Sequence, residues 1–367
     1  LASPFSSLQA ESPALCLRLL VFCLLISCGK VGDPLPPIPR APVTITELAV
    51  SQQGNQLILS FPIVRTGRSE PVQRIDLYRL IEPLSAPLGL PEEDFSLRAS
   101  VIATIPAEQI PATSATITYQ DVLDLKSLPG QLRYRYAARI INRAGQPGSF
   151  SNYALITPLV ELATPPTRLN YRLSQTELEV SWSPPEANEN GRRPANVAGY
   201  NIYRRKADEV VKLNTQPVQE ARFVDRSFQF GTSYEYFVRS LSLPTPGASI
   251  TEAIESNDSV TLSITPQDSF PPSAPSSITI ASVAGIVSLF WPANPEPDVA
   301  GYNIYRSEDP SWPPQQWIKL NTQLHTSTTF RDERVQIGKQ YFYQLTAVDS
   351  SGNESPRSET KSEIVNP

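Results

Sequence analysis

The chain has 367 residues, enough for two or three domains of ordinary size, and its 31 Lys+Arg against 36 Asp+Glu leave a net charge of −5. No long run of one sign occurs, which excludes the basic stripe that a nucleic-acid binder needs to neutralise phosphates. Proline, at 37 residues, is about twice its usual share and gathers where strands start and stop, which favours many short strands over long helices. All three cysteines, Cys16, Cys23 and Cys28, lie at the start of the chain. Whatever folds after them must therefore stand on apolar cores without disulfides.

In chain order, the first element is the apolar run Leu19-Leu-Val-Phe-Cys-Leu-Leu-Ile26, which follows Arg18 and ends in the small residue Ser27. It is too short to cross a bilayer and has the length of a secretory h-region, so residues 1–27 are expected to be a signal peptide. Leu1 to Ala14 is uncharged except for Glu11, unlike a normal n-region, so either the true start lies nearer the apolar run or the gene start is misassigned. Leu25-Ile26-Ser27-Cys28-Gly29 resembles the lipobox of bacterial lipoproteins. The resemblance implies that Cys28 receives diacylglycerol, that the signal is cut before it and that the new N-terminus is acylated. Gly29, standing where Asp favours inner-membrane retention in enteric relatives, implies the outer membrane of a two-membrane bacterium. An ordinary signal peptide with an incidental Cys28 is the competing reading. Several acyl chains, at about 0.8 kcal/mol per buried methylene, make such an anchor effectively permanent. Residues 28–42 then form a lipidated cysteine and a proline-rich stalk, expected in polyproline II form.

Three domains are expected beyond the stalk, at 43–158, 162–266 and 271–367. In the first, Leu57-Ile-Leu-Ser-Phe61 alternates, Arg74-Ile-Asp-Leu-Tyr-Arg79 continues the pattern, and a Pro- and Glu-rich insertion runs from Leu80 to Ser100. Thr116-Ile-Thr-Tyr-Gln-Asp121 and Tyr134-Arg-Tyr-Ala-Ala-Arg-Ile140 restore the pattern after it. The second and third domains share the unchanged string Val197-Ala-Gly-Tyr-Asn-Ile-Tyr-Arg204 and Val299-Ala-Gly-Tyr-Asn-Ile-Tyr-Arg306. Each copy follows a tryptophan (Trp182, Trp291) and precedes Lys-Leu-Asn-Thr-Gln at 212–216 and 319–323. Then Phe223-Val-Asp225 matches Phe330-Arg-Asp332, and Tyr234-Glu-Tyr236 matches Tyr341-Phe-Tyr343. A repeat of roughly a hundred residues is a domain duplication, too long for a solenoid unit. Side chains alternate in steps of two along these segments, as half-buried strands do.

With a Trp closing the second strand and a Tyr opening the sixth, the pattern resembles the fibronectin type III family across 162–367 and more weakly across 42–158. The expected fold is all-β: tandem immunoglobulin-like (fibronectin type III) β-sandwiches after a signal peptide and Pro-rich stalk. The resemblance implies core tryptophans at 182 and 291 and corner tyrosines at 234 and 341. Short linkers, Ala163-Thr-Pro-Pro166 and Thr265-Pro-Gln-Asp-Ser-Phe-Pro-Pro272, should keep the joints stiff.

Candidate sites are few. Trp312 and Trp317 suit sugar stacking or a protein contact, although Trp317 aligns with Val210 and Val211 and is better read as packed inward, with Trp312 covering its loop. Asp298, Asp349, Asn353 and Glu354 offer oxygens for calcium, yet Asp349-Ser-Ser-Gly-Asn353 is also what a tight turn demands. No metal or other cofactor is expected. With His325 as the sole histidine and no nucleophile elbow, zinc-binding helix or phosphate-cradling loop, no catalysis is expected either. The expected role is a lipid-anchored, non-catalytic scaffold or spacer in the cell envelope, with a protein partner or polysaccharide as ligand and no nucleic acid. The alternative is a carbohydrate-binding accessory lipoprotein using Trp312 and Trp317.

Overall fold

The computed structural model describes residue 45 and residues 47–63, 71–111, 113, 115–128 and 132–367. The expected signal peptide, Cys28 and the stalk lie outside the described residues. What is described is all-β, with six antiparallel sheets that pair into three sandwiches.

The first sandwich contains β1 (Ala49–Gln53), β2 (Gln56–Ile63), β3 (Val72–Pro83), β4 (Ser100–Pro106), β5 (Ala115–Val122), β6 (Leu132–Asn142), β7 (Pro147–Phe150) and β8 (Ala154–Ile156). One sheet runs β1-β2-β5 and the other β4-β3-β6-β7, with β8 also on β6. The second contains β9 (Thr167–Leu173), β10 (Leu178–Ser183), β11 (Gly199–Lys206), β12 (Glu209–Lys212), β13 (Arg222–Asp225), β14 (Tyr234–Ser242), β15 (Ile254–Glu255) and β16 (Leu262–Ile264). Its sheets run β9-β10-β13 and β12-β11-β14-β15, with β16 also on β14. The third contains β17 (Thr279–Val283), β18 (Ile286–Phe290), β19 (Val299–Ser307), β20 (Ile318–Lys319), β21 (Thr329–Asp332), β22 (Gln340–Asp349) and β23 (Lys361–Ile364), in sheets β17-β18-β21 and β20-β19-β22-β23. A three-stranded sheet facing one of four or more strands is the fibronectin type III arrangement expected from the repeat.

Period-two patterning decides which face turns inward. Along β2, Leu57, Leu59, Phe61 and Ile63 are buried while the residues between them are half-buried. Leu178, Val180 and Trp182 do the same on β10. Trp182 meets Tyr200 edge-on at 5.2 Å, and Trp291 meets Tyr302 at the same distance, so the first tyrosine of the repeated string packs on the core tryptophan. Phe61 and Ile75, both fully buried, fill those places in the first domain. The hydroxyls of Tyr234 and Tyr341 accept hydrogen bonds from the backbone N–H of Gln229 and Gln336, which is the corner geometry implied for them. The glycine of the repeated string is explained by crowding. A Cβ on Gly301 would lie 3.0 Å from both His325 O and Leu324 Cβ, where the chain crosses back over β19.

The insertion after β3 folds into a lid rather than a loose loop. It contains α1 (Glu92–Arg98), whose single buried residue, Phe95, meets Phe150 edge-on at 5.1 Å. Beneath its approach, the fully buried Arg135 donates to Glu82 (2.9 Å) and to the carbonyls of Pro87 (2.8 Å) and Leu88 (2.8 Å). Arg133 shares Glu82 at 2.8 Å and reaches Ala86 O at 2.6 Å. Two arginines thus close the carbonyls that a sharp, proline-rich turn leaves without partners.

The first joint is packed. The first core runs on to Leu162, and Ile254 of the second domain leans against it. The turn between β1 and β2 touches the second domain directly: Gly54 N–H donates to Glu255 O (2.7 Å), and Asn257 Nδ2 to Asn55 Oδ1 (3.0 Å). Gly54 has φ +56°, and a Cβ there would come within 2.0 Å of Asn257 Oδ1. Gly54→Val is therefore expected to open this joint: a left-handed β-branched residue costs about 1–2 kcal/mol locally, and the Asn257 contact must yield. Small-angle scattering should show a longer maximum dimension while the circular dichroism spectrum stays unchanged. An unchanged scattering profile would mean that this turn does not set the joint.

Candidate functional site

The residues repeated between domains are engaged within their own domain. On β11, Arg204 reaches Asp225 at 2.7 Å, and Tyr236 on β14 donates to the same carboxylate at 2.8 Å. Arg306, Asp332 and Tyr343 repeat this at 2.7 and 3.0 Å, and Arg79, Asp121 and Tyr136 repeat it again at 2.8 and 2.6 Å. Each trio ties an inner strand of the larger sheet to the facing three-stranded sheet. Burial and the neighbouring carboxylate push the phenols of Tyr136, Tyr236 and Tyr343 well up, so they remain donors at any physiological pH.

The repeated asparagines form a second frame. Asn214 accepts from Ile202 N–H and donates to Tyr200 O and Asn201 Oδ1; Asn321 does the same with Ile304, Tyr302 and Asn303. Asn201 and Tyr203 donate to Glu255, and Asn303 and Tyr305 donate to Glu354. Burial works against the charge on Glu255 and Glu354. Hydrogen bonds led by Tyr203 and Arg239 in one case, and by Thr346 and Asn303 in the other, outweigh it and hold both carboxyls below the usual range.

Glu354 therefore stands apart from the calcium candidates with which the sequence grouped it. Asp298 and Asp349 are brought together, and Asn353 donates to Asp349 Oδ2 at 2.8 Å. The third carboxylate of the group is Asp268, from the linker that precedes the third domain. Nothing local in the sequence singles out Asp268, because a lone acid in a proline-rich linker has no signature of its own. The available signal was that the first linker has no acid at the corresponding place.

The two tryptophans separate. Trp317 is 6 % exposed, and its indole N–H donates to Trp312 O at 3.0 Å. Arg357 lies 4.1 Å over Tyr305 and 5.7 Å over Trp317, fixed by Gln344 Oε1 and Pro314 O. Trp312 is 42 % exposed, so of the pair it alone presents a ring to a ligand. His325 is held by ring contacts with Phe330 (5.4 Å) and Trp291 (6.1 Å), and its Nε2 lies 2.6 Å from Thr329 O. A larger concavity of about 950 Å³ lies at the first joint, among Leu125, Lys126, Leu159, Arg192 and Leu243. Its walls mix leucines with the exposed Arg192–Glu161 ion pair (2.6 Å).

No known family's model matches the chain. Over 89 residues it is 39% identical to an amylopullulanase of Thermoanaerobacterium thermosulfurigenes, a stretch covering 24% of this chain and 4% of that protein. Over 92 residues it is 39% identical to an amylopullulanase of Thermoanaerobacterium saccharolyticum, covering 25% and 7% respectively. The chain thus spans only a small part of the length of these curated relatives. Among solved structures, the chicken CNTN1 FN1-FN3 domains align with 89% of this chain and 100% of theirs, at 17% identity and a TM-score of 0.27.

Proposed function

We propose that this protein is a non-catalytic binding scaffold and spacer, carried at the outer membrane of a two-membrane bacterium by lipid on Cys28. The observation that carries the reading is the use of the repeated polar residues. The Arg-Asp-Tyr trios of all three sandwiches and the Asn-Tyr-Glu clusters of the second and third are satisfied within their own domain, so duplication has copied a frame rather than a reactive site. Loops and edge strands of such sandwiches are the natural contact surfaces. The short edge strands β12 and β20 expose Val210, Val211 and Ile318.

A second reading has its own observation. Trp312, whose carbonyl accepts from the indole of Trp317, presents an exposed ring, and two sequence relatives are amylopullulanases, so a carbohydrate-binding role follows if that ring stacks on sugar.

One experiment addresses both. Wild type, Cys28→Ala and Trp312→Ala would be expressed in a two-membrane bacterium and recovered with whatever co-purifies. The scaffold reading expects wild type to partition into detergent with one envelope protein or assembly, Cys28→Ala to leave the membrane, and Trp312→Ala to keep its partner. Polysaccharide that co-purifies and is lost on Trp312→Ala would replace the scaffold reading with the carbohydrate one. A Cys28→Ala protein that still partitions into detergent would overturn the anchor.

A further inference from the structure

We propose that the joint between the second and third domains is a calcium site built by the carboxylates of Asp268, Asp298 and Asp349. The three come from separate segments. Asp268 lies in the linker after β16, Asp298 immediately precedes β19, and Asp349 ends β22. One oxygen of each lies within 4.8 Å of the others. Asp349 is 2 % exposed, and Asp298 Oδ1 is sealed from solvent with no hydrogen-bond donor. Among the described residues none of the three forms an ion pair. Neutral donors orient two of them: Ser351 N–H and Asn353 hold Asp349, while Phe270 N–H and the Ser351 hydroxyl hold Asp268. Orientation does not neutralise them, and three charged carboxylates at this spacing repel one another, a repulsion that a cation between them relieves.

The first joint is an internal control. Counting along the repeat, Asn196 takes the place of Asp298, since each precedes Val-Ala-Gly, and Ser242 takes the place of Asp349 at the end of the paired strand. There the groups are neutral and bond directly. Ser242 Oγ accepts from Ala163 N–H at 2.9 Å, and Asn196 Nδ2 donates to Glu161 O at 3.0 Å and Leu243 O at 2.9 Å. One joint is closed by hydrogen bonds between linker and loops. In the other, Ser351 and Asn353 also bond the linker at Asp268, but linker and loops bring three carboxylates to a common point, one of them without a donor. A hard dication that accepts oxygen ligands in flexible number fits such a set, with water completing the six to eight ligands that calcium takes. Bound there, it cross-links the linker to two loops of the third domain and fixes the angle between the second and third sandwiches.

The test uses the full chain stripped with EDTA, then titrated with CaCl2 or MgCl2 by calorimetry and followed in thermal melts. One calcium per chain should bind at or below about 1 mM, the range of extracellular modules, and should raise the melting temperature of the third domain. Asp268→Asn and Asp298→Asn should each weaken calcium at least tenfold with an unchanged circular dichroism spectrum. In EDTA, Asp298→Asn should melt no lower than wild type, since it removes one of three facing charges. The proposal is overturned by the absence of calcium binding, by equal saturation with magnesium, by calcium binding that survives both substitutions, or by Asp298→Asn melting below wild type in EDTA.

Discussion

Trp291→Ala is expected to destabilise the third domain by about 3–5 kcal/mol, the usual cost of removing a large aromatic from a core. Trp291 is 5 % exposed and packs in one cluster with Tyr302, Leu289, Ile304 and Tyr343. A domain of this size has only about 5–15 kcal/mol of stability in all, and no cysteine follows Cys28 to support it. The loss should therefore appear as a separate early transition in urea, confined to one domain, while the other two unfold at their wild-type midpoints. Trp291→Phe should cost far less, because the indole N–H it removes is buried without a partner, and Phe61 holds the matching place in the first domain. Trp312→Ala, at an exposed ring, should stay within about 0.5 kcal/mol of wild type. If Trp291→Ala costs less than about 1 kcal/mol, or moves all three transitions together, the cores are not independent.

The contrast between Trp291 and Trp312 shows what was legible in the sequence and what was not. Alternation along Leu57-Ile-Leu-Ser-Phe61 and along the repeated string reports which face is buried, because a strand turns every second side chain to the same side. Two copies of one string double that signal, and the aligned Trp, Tyr and Asp positions fall where the sandwich needs them. The insertion from Leu80 to Ser100 carries no such period. Its lid depends on Phe95 and on Arg133 and Arg135, which are distant in sequence and belong to β6, so nothing local announces the contact. The carboxylate group fails to read for the same reason. Asp298 and Asp349 sit near turn residues, Glu354 looks like their neighbour but serves Asn303 and Tyr305, and Asp268 joins them only because the linker folds back. Pattern along the chain fixes faces; convergence of loops is a property of the assembled fold.

Asp225→Ala should cost about 3–5 kcal/mol, since removing one member of a buried pair leaves the other charge without its counterion. Arg204, with 16% of its side chain exposed, would lose the carboxylate 2.7 Å away, and the fully buried Tyr236 hydroxyl would lose its acceptor. Tyr236→Phe removes only a donor and should cost about 1 kcal/mol. Acid should act on the same group. Burial disfavours the Asp225 charge, but the Ser227 hydroxyl and N–H, the Tyr236 hydroxyl and Arg204 outweigh it and hold the carboxyl below its ordinary range. A carboxylate whose folded pKa lies below the unfolded value of about 3.9 stabilises the domain above that value, and the gain is lost as pH falls through the folded one. Glu255, lowered in the same domain, adds to the effect. Urea midpoints of the second domain should hold from pH 7 to about pH 5 and fall below about pH 4. Asp225→Asn should flatten that fall while starting from a lower midpoint at pH 7. An acid slope identical in wild type and Asp225→Asn would show that this carboxylate is not what couples the two sheets to pH.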